Sequence, residues 1–224
     1  NMKKNNIFWI SYSDLMTSMF FIMLILFVLA IRYLRINNIE LKKKQEVTEQ
    51  EKKKVKEIND ALKNIDPQNF VYNDTYKKHI LKIDLIDNKG NIGFPIGSWD
   101  ISDLNLETRM KLRNAGNNLI SKMKDLTKEN PNLQYLIIIE GQASKDFWPG
   151  NDELSYRRAI SLRDFWFKSN NQSAHEYLKE NLPNCEVIIG GSGQYGVPRS
   201  SPDIPPANQR FLVTIIPKYG EIEK

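Results

Sequence analysis

The chain has 224 residues, with 32 Lys and Arg against 27 Asp and Glu and a formal net charge of +5. A balance this mild, with acids mixed among the bases and no zinc-finger, RRM or helix-turn-helix signature, gives no ground for a nucleic-acid partner. The single Cys185 excludes an intramolecular disulfide, and His79 and His175 are too isolated in sequence from it and from each other to suggest a metal-ligand set.

Hydropathy is concentrated at the start. Between Lys4 and Arg32 the only charged residue is Asp14. At about 1.5 Å per residue this stretch crosses a hydrocarbon core of about 30 Å, which predicts a transmembrane helix over residues 7–31 after a short N-terminal segment, 1–6. A secretory leader shares the positive start, Lys3 and Lys4. The longer apolar stretch, the lack of a small-x-small cleavage pattern and the stop formed by Arg32 and Arg35 favour a retained anchor. Basic residues lie on both sides of the span, and long domains translocate largely regardless of charge, so charge leaves the orientation open.

Asp14 demands a reason. An ionised carboxylate within a bilayer costs from about 2.5 to more than 10 kcal/mol, so it faces a partner or a water path rather than lipid. Such a group can take up a proton or sodium ion from one side and release it to the other. Ser11, Ser13, Thr17 and Ser18 are hydrogen-bonding neighbours, and Thr17 and Ser18, three and four positions on, share its helix face. The plainer reading is an acid near a helix start that favours the dipole and reaches for the interface.

Residues 32–66 lack both Gly and Pro and are rich in Lys, Glu and Gln, predicting a helical stalk that ends at Pro67. Leu34, Leu41, Thr48, Val55 and Leu62 recur at seven-residue spacing, with Ile58 and Ile65 three positions after Val55 and Leu62, so a coiled coil and a solvated single stalk both stand.

From Pro67 the pattern changes to short β runs alternating with helices, defining a domain over residues 67–224. Leu81, Ile83 and Leu85 alternate with Lys82 and Asp84, and DNKGN leads into IGFPI, which predicts a hairpin. Residues 105–126 read as a helix with Leu106, Met110, Leu112, Leu119 and Met123 on its apolar side. QYLIIIEG reads as a buried strand, LSYRRAISLRDFWF as a helix, and CEVIIGG and RFLVTIIP as strands. The expected fold is a single N-terminal transmembrane helix, a helical stalk, then an α/β domain whose mixed sheet carries helices on one face.

Two motifs carry a resemblance to known families. WISYSDLMTSMFF resembles the membrane helix of MotB-type stator subunits, and IIIEGQASKDFWPGNDELSYRRA resembles the OmpA-type peptidoglycan-binding domain, with FPIGSWDISDLNL and NQRFLVTI similar to its flanking parts. The F-W-I-S-Y form is also similar to the membrane motor subunit of Zorya-type anti-phage defence systems. The resemblance implies a bacterial inner-membrane, single-pass protein with its C-terminal domain in the periplasm. It further implies a homodimer inside a pentameric MotA-like ring, Asp14 as the carrier of a proton or sodium ion, and Ser13, Thr17 and Ser18 beside its path. No cofactor is implied. The segment after the span, to about Glu46, corresponds to a stretch that in this family plugs the channel.

In the outer domain the resemblance assigns peptidoglycan binding to Asn151, Leu154 and Arg158, with Arg210 on the closing strand as an ion pair or a ligand contact. A wall peptide is both anionic and amine-bearing, so a cation and an acid are expected. The family's acid is absent: Gln142, Ala143 and Ser144 stand where it has H-T-D, leaving Asp146 or Asp152 as substitutes. A flagellar stator subunit, a passive wall tether and a TolR- or ExbD-like transducer are the competing classes, the last disfavoured by the N-x-x-L-S-x-x-R-A helix.

Enzymatic readings find little. GGSGQYG lacks the Lys-Ser/Thr of a phosphate loop, and Ser155 does not sit in a nucleophile elbow. Cys185, within a strand, reads as a small buried hydrophobe. Trp99 and Trp148 are loop aromatics that line a contact surface or cap the core.

Overall fold

The structure is a computed structural model and describes residues 2–145, 148–169, 171–200 and 206–219. It divides into two compact units, Asn1–Ile58 and Asn59–Lys224.

The first unit belongs to one helix, α1 (Met2–Lys63). No Gly or Pro interrupts it, and it stops shortly before Pro67, whose ring disfavours helical backbone in the preceding residue. This helix is long and apolar enough to cross a membrane. Leu15, Phe20, Phe21, Met23, Leu26 and Phe27 are all exposed, so the apolar surface runs round the helix rather than along one stripe. A helix of that kind needs lipid or other helices as its surroundings. Further on the surface turns polar, with Glu40 and Lys44 paired at 2.8 Å one turn apart. Of the seven-residue series, Leu34 and Leu41 are exposed, whereas Leu62 is buried inside the α/β unit, as is Ile65. That unit begins at Asn59, so the last turn of α1 serves its core rather than the stalk.

The second unit is built on a five-stranded sheet. Its strands are β1 (Phe70–Asn73), β2 (Lys78–Leu81), β3 (Gln134–Gly141), β4 (Cys185–Gly191) and β5 (Phe211–Lys218), in the order β1-β2-β5-β3-β4. Only β3 and β4 run parallel, joined through α3 (Asn151–Phe167) and α4 (Ala174–Asn181); the other pairs are antiparallel. Along β3, Tyr135, Ile137 and Ile139 are buried, and the register places Ile215 and Val213 beside the last two. Ile216 and Ile188, on the opposite face, are exposed. The sheet is mixed and its helices lie on one face.

Helix α2 (Leu106–Glu129) is started by Asn105, whose side-chain oxygen accepts the Thr108 N–H at 2.8 Å. Leu112, Ala115, Leu119, Met123 and Leu126 form its buried stripe, while Leu106 and Met110 are exposed. It crosses α3 closely at Gly116, where a Cβ would stand 2.4 Å from the Trp166 ring, and Trp166 Nε1 donates to the Leu112 carbonyl at 2.8 Å. Helix α4 carries a capping box between Ser173 and Glu176.

The hairpin expected from LKIDL and IGFPI is replaced by a single bridge, Ile86 to Ile92. The Asp87 carboxylate accepts the N–H groups of Lys89 and Asn91, both at 2.8 Å, and backbone bonds from the Asp87 N–H to the Asn91 carbonyl at 2.9 Å and from the Gly93 N–H to the Leu85 carbonyl at 2.6 Å complete the turn. Beyond it Gly93 (φ +97°), Pro95 and Gly97 (φ +74°) deny the backbone a ladder, and the Phe94 N–H goes to a side chain, Gln209 Oε1, at 2.9 Å. The chain thus reverses where the sequence predicts, with Ile83 and Leu85 buried, but the pairing stops at this one bridge and forms no strands.

Candidate functional site

Two places hold the residues singled out in the sequence. The first is Asp14 on α1. Thr17 Oγ1 donates to the Ser13 carbonyl at 2.7 Å and Ser18 Oγ to the Leu15 carbonyl at 2.8 Å, so these hydroxyl protons are used within the helix backbone. Their oxygens remain able to accept, on the face they share with Asp14. Among the described residues, no donor to the Asp14 carboxylate comes from its own chain, although it is the only charge in a membrane-length apolar stretch.

The second is a cavity of about 100 Å³ in the α/β unit, lined by Phe94, Ile96, Gly97, Ser144, Trp148, Asn151, Leu154, Arg158 and Gln209, with Pro95. The geometry of the L-S-x-x-R-A run explains this. Asn151, Leu154 and Arg158 fall at i, i+3 and i+7 of α3 and therefore share a face. Ser155 is turned away from them: its Oγ accepts the Gly193 N–H at 2.9 Å and donates to the Asp152 carbonyl at 2.8 Å, tying the segment after β4 to the helix start. Gly141 lets β3 approach α3 so closely that a Cβ would meet the Ser155 carbonyl oxygen at 2.1 Å, and Gly191 does the same against Tyr156 N at 2.5 Å. Ala159, fully buried, is the third small residue of this contact.

Arg158 is 3% exposed. Its Nε donates to the Ser98 carbonyl at 3.1 Å, and its guanidinium carbon lies 4.5 Å from the centre of the Phe94 ring. The group is thereby fixed in orientation before any ligand arrives. Opposite it, Ser144 Oγ accepts from Gln209 Nε2 at 2.8 Å. A guanidinium, two amides and a hydroxyl facing one small cavity form a site for a carboxylate or carboxamide, with exposed Ile96 and Trp148 at its lip.

Three of the predicted wall-binding residues, Asn151, Leu154 and Arg158, thus come together, joined by Ser144 at the position of the missing acid. Arg210 is elsewhere: its Nε donates to Gln142 Oε1 at 2.9 Å and its Nη2 to the Pro198 carbonyl, which also accepts from Gln142 Nε2. That network braces the strand behind the cavity. Asp152 does not line the cavity; its Oδ1 lies where a Cβ on Gly193 would be. Asp146 lies outside the described residues.

Sequence reasoning missed Phe94 and Gln209 as site residues. They come from segments 115 positions apart and meet through the Phe94 N–H bond to Gln209. The available signal was the Gly-Phe-Pro-Ile-Gly run, whose two glycines both adopt positive φ to bend the backbone across the cavity.

The remaining reactive groups are structural. Burial pushes the Cys185 thiol up to about 12, which removes the thiolate needed by a nucleophile or metal ligand. The buried His79 ring lies between two carbonyls, Leu62 O at 2.9 Å from Nε2 and Val213 O at 3.2 Å from Nδ1, and links the end of α1 to the sheet.

No family model and no curated protein matches the chain. Among solved structures it is similar to the periplasmic domain of Helicobacter pylori MotB, at 12% identity over 62% of this chain and 83% of that one, with a TM-score of 0.36. It is similar to an OmpA-like domain from Francisella tularensis, at 14% identity over 66% and 79%, TM-score 0.31. A third is the cell wall anchor of the T6SS from Pseudomonas aeruginosa, at 12% identity over 66% and 87%, TM-score 0.34. The class defined by the chain's own geometry is an apolar helix of membrane-spanning length followed by a mixed-sheet α/β domain.

Proposed function

We propose that the chain is the B-type subunit of an ion-driven rotary motor in the bacterial inner membrane. Two copies stand inside a pentameric MotA-like ring, Asp14 carries a proton or sodium ion, and the periplasmic α/β unit braces the complex on peptidoglycan. The observation that carries this reading is Asp14: a lone acid on a membrane-length helix with no donor from its own chain among the described residues. Desolvation of that carboxylate is tolerable only if other chains or a water path supply its partners, and a carboxylate served in turn by two environments can take up and release a cation.

The cavity around Arg158 supports the bracing role, since its buried guanidinium suits a stem-peptide carboxylate. The F-W-I-S-Y-x-D-L-M-T form favours Zorya-type anti-phage defence over flagellar drive as the motor's role. Ion flux in membranes holding this chain with its MotA-like neighbour, compared between wild type and Asp14→Asn, tests the motor. Flux lost with the complex still assembled supports it; equal behaviour leaves a membrane-anchored wall tether. Cosedimentation of wild type and Arg158→Gln with purified cell wall tests the brace separately. Phage plaque counts on cells carrying the whole gene cluster separate defence from swimming.

A further inference from the structure

A groove of about 510 Å³ on the α/β unit, within the size range of small-ligand sites, is built around a charge that the fold does not use. Its walls are the short helix Ile101–Asp103 with Trp99 and Asp100 before it, the first turn of α2, and one face of α3. Arg109 projects from that first turn, where a positive charge opposes the helix dipole. It is half-buried, its Nε is enclosed without a hydrogen-bond partner, and among the described residues no carboxylate forms an ion pair with it. A guanidinium at a helix start with no ion-pair partner is unfavourable, and an anion in the groove relieves both features through the terminal nitrogens of Arg109.

The neighbouring charges already have partners. Asp164 pairs with Arg163 at 2.6 Å, and Asp100 accepts the Ser102 N–H at 2.8 Å. Arg157 pairs with Glu153 at 2.5 Å and lies 4.6 Å from the centre of the Trp99 ring. Phe165 supplies an apolar wall, held by the Arg113 guanidinium 3.8 Å from its ring centre. The groove therefore offers one guanidinium without an ion-pair partner, Arg109, alongside the aromatic side chains of Trp99 and Phe165, with two carboxylates nearby that repel a doubly charged anion. A single-charged, planar carboxylate with an apolar body meets those conditions.

We propose that this groove is a second ligand site, separate from the Arg158 cavity, that seats a peptide carboxylate on Arg109 with its side chains against Trp99 and Phe165. The loop of residues 94–102 divides the two: Phe94 to Gly97 line the cavity, and Trp99 to Ser102 line the groove. The proposal stands whether or not the domain binds cell wall.

The test uses the full chain in lipid nanodiscs, with the arginine Nε–H resonances followed by NMR and the Arg109 signal assigned by its loss in Arg109→Gln. The probes are N-acetyl-alanyl-alanine with a free carboxylate, the same dipeptide as its C-terminal amide, and inorganic phosphate. The free acid is expected to shift the Arg109 signal saturably and the amide to leave it in place. Tryptophan fluorescence should show the acid binding about tenfold more weakly to Arg109→Gln, with Arg109→Lys in between because it keeps the charge and loses the fork. Unchanged circular dichroism of both variants excludes misfolding as the cause. Equal binding of acid and amide, tighter binding of phosphate, loss of binding in Arg158→Gln instead, or no shift at all would each overturn the proposal.

Discussion

The two units of this protein place their chemistry in opposite ways. In the first, a single side chain, Asp14, stands out against an unbroken apolar helix, and its neighbours Ser13, Thr17 and Ser18 lie within one turn of it in sequence. In the second, the cavity draws Phe94, Ser144, Arg158 and Gln209 from four separate segments and exists only where they pack together. A local site of the first kind survives changes elsewhere in the chain. An assembled site of the second kind fails when the packing that assembles it is disturbed.

The largest expected effect tests the first half of that contrast. Asp14→Asn should reduce ion passage to background while leaving the urea unfolding curve of the α/β unit unchanged. A shifted unfolding midpoint would show that the local site is not local. Next, Gly141→Ala forces a methyl against the Ser155 carbonyl, where a Cβ would stand 2.1 Å away. It should destabilise the α/β unit by about 1–3 kcal/mol and also weaken cell-wall cosedimentation, since α3 carries Arg158. Ion passage through Asp14 should persist in that variant, which sharpens the separation of the two sites.

A smaller loss, about 1 kcal/mol, is expected from Asn105→Ala, which removes the cap of α2 without touching Asp14 or the Arg158 cavity. The smallest effect is a slope. Burial pushes the His79 imidazole below its usual value, outweighing the Leu62 and Val213 carbonyls, which favour the charged ring. The unfolded chain then binds the proton first, so this contribution to stability is complete above about 6.5 and is lost as the pH falls from there through the folded-state value. Denaturant midpoints between pH 7.5 and 5 should decline in the wild type, and His79→Gln should flatten the decline. Asp66, whose carboxyl is held low by donors from Asn69 and Asn118 against the opposing effect of burial, acts in a separate window below 3.8.

Much of the second unit was nonetheless legible. Gln134–Gly141, Cys185–Gly191 and the core of β5 were readable because short runs dense in β-branched and aliphatic residues, bounded by turn residues, mark strands. The hairpin predicted at residues 81–96 keeps its turn but shrinks to one antiparallel bridge, because the positive-φ Gly93 and Gly97, with Pro95 between them, end the backbone pairing. Heptad spacing misled at Leu62 and Ile65: apolar spacing along a helix states that a face is buried, not what buries it.

By itself, then, the sequence determined the apolar helix with its single acid and the order of α2, β3, α3, β4 and β5. All of these follow from periodicities of a few residues, set by the backbone geometry of helices and strands. Only the tertiary structure decided that Gln209 and Phe94 complete the cavity, that Arg210 braces Gln142 and Pro198 behind it, and that Arg109 lines a groove with no ion-pair partner among the described residues. Those contacts join residues tens of positions apart, and their energies depend on close packing and desolvation that no local pattern encodes.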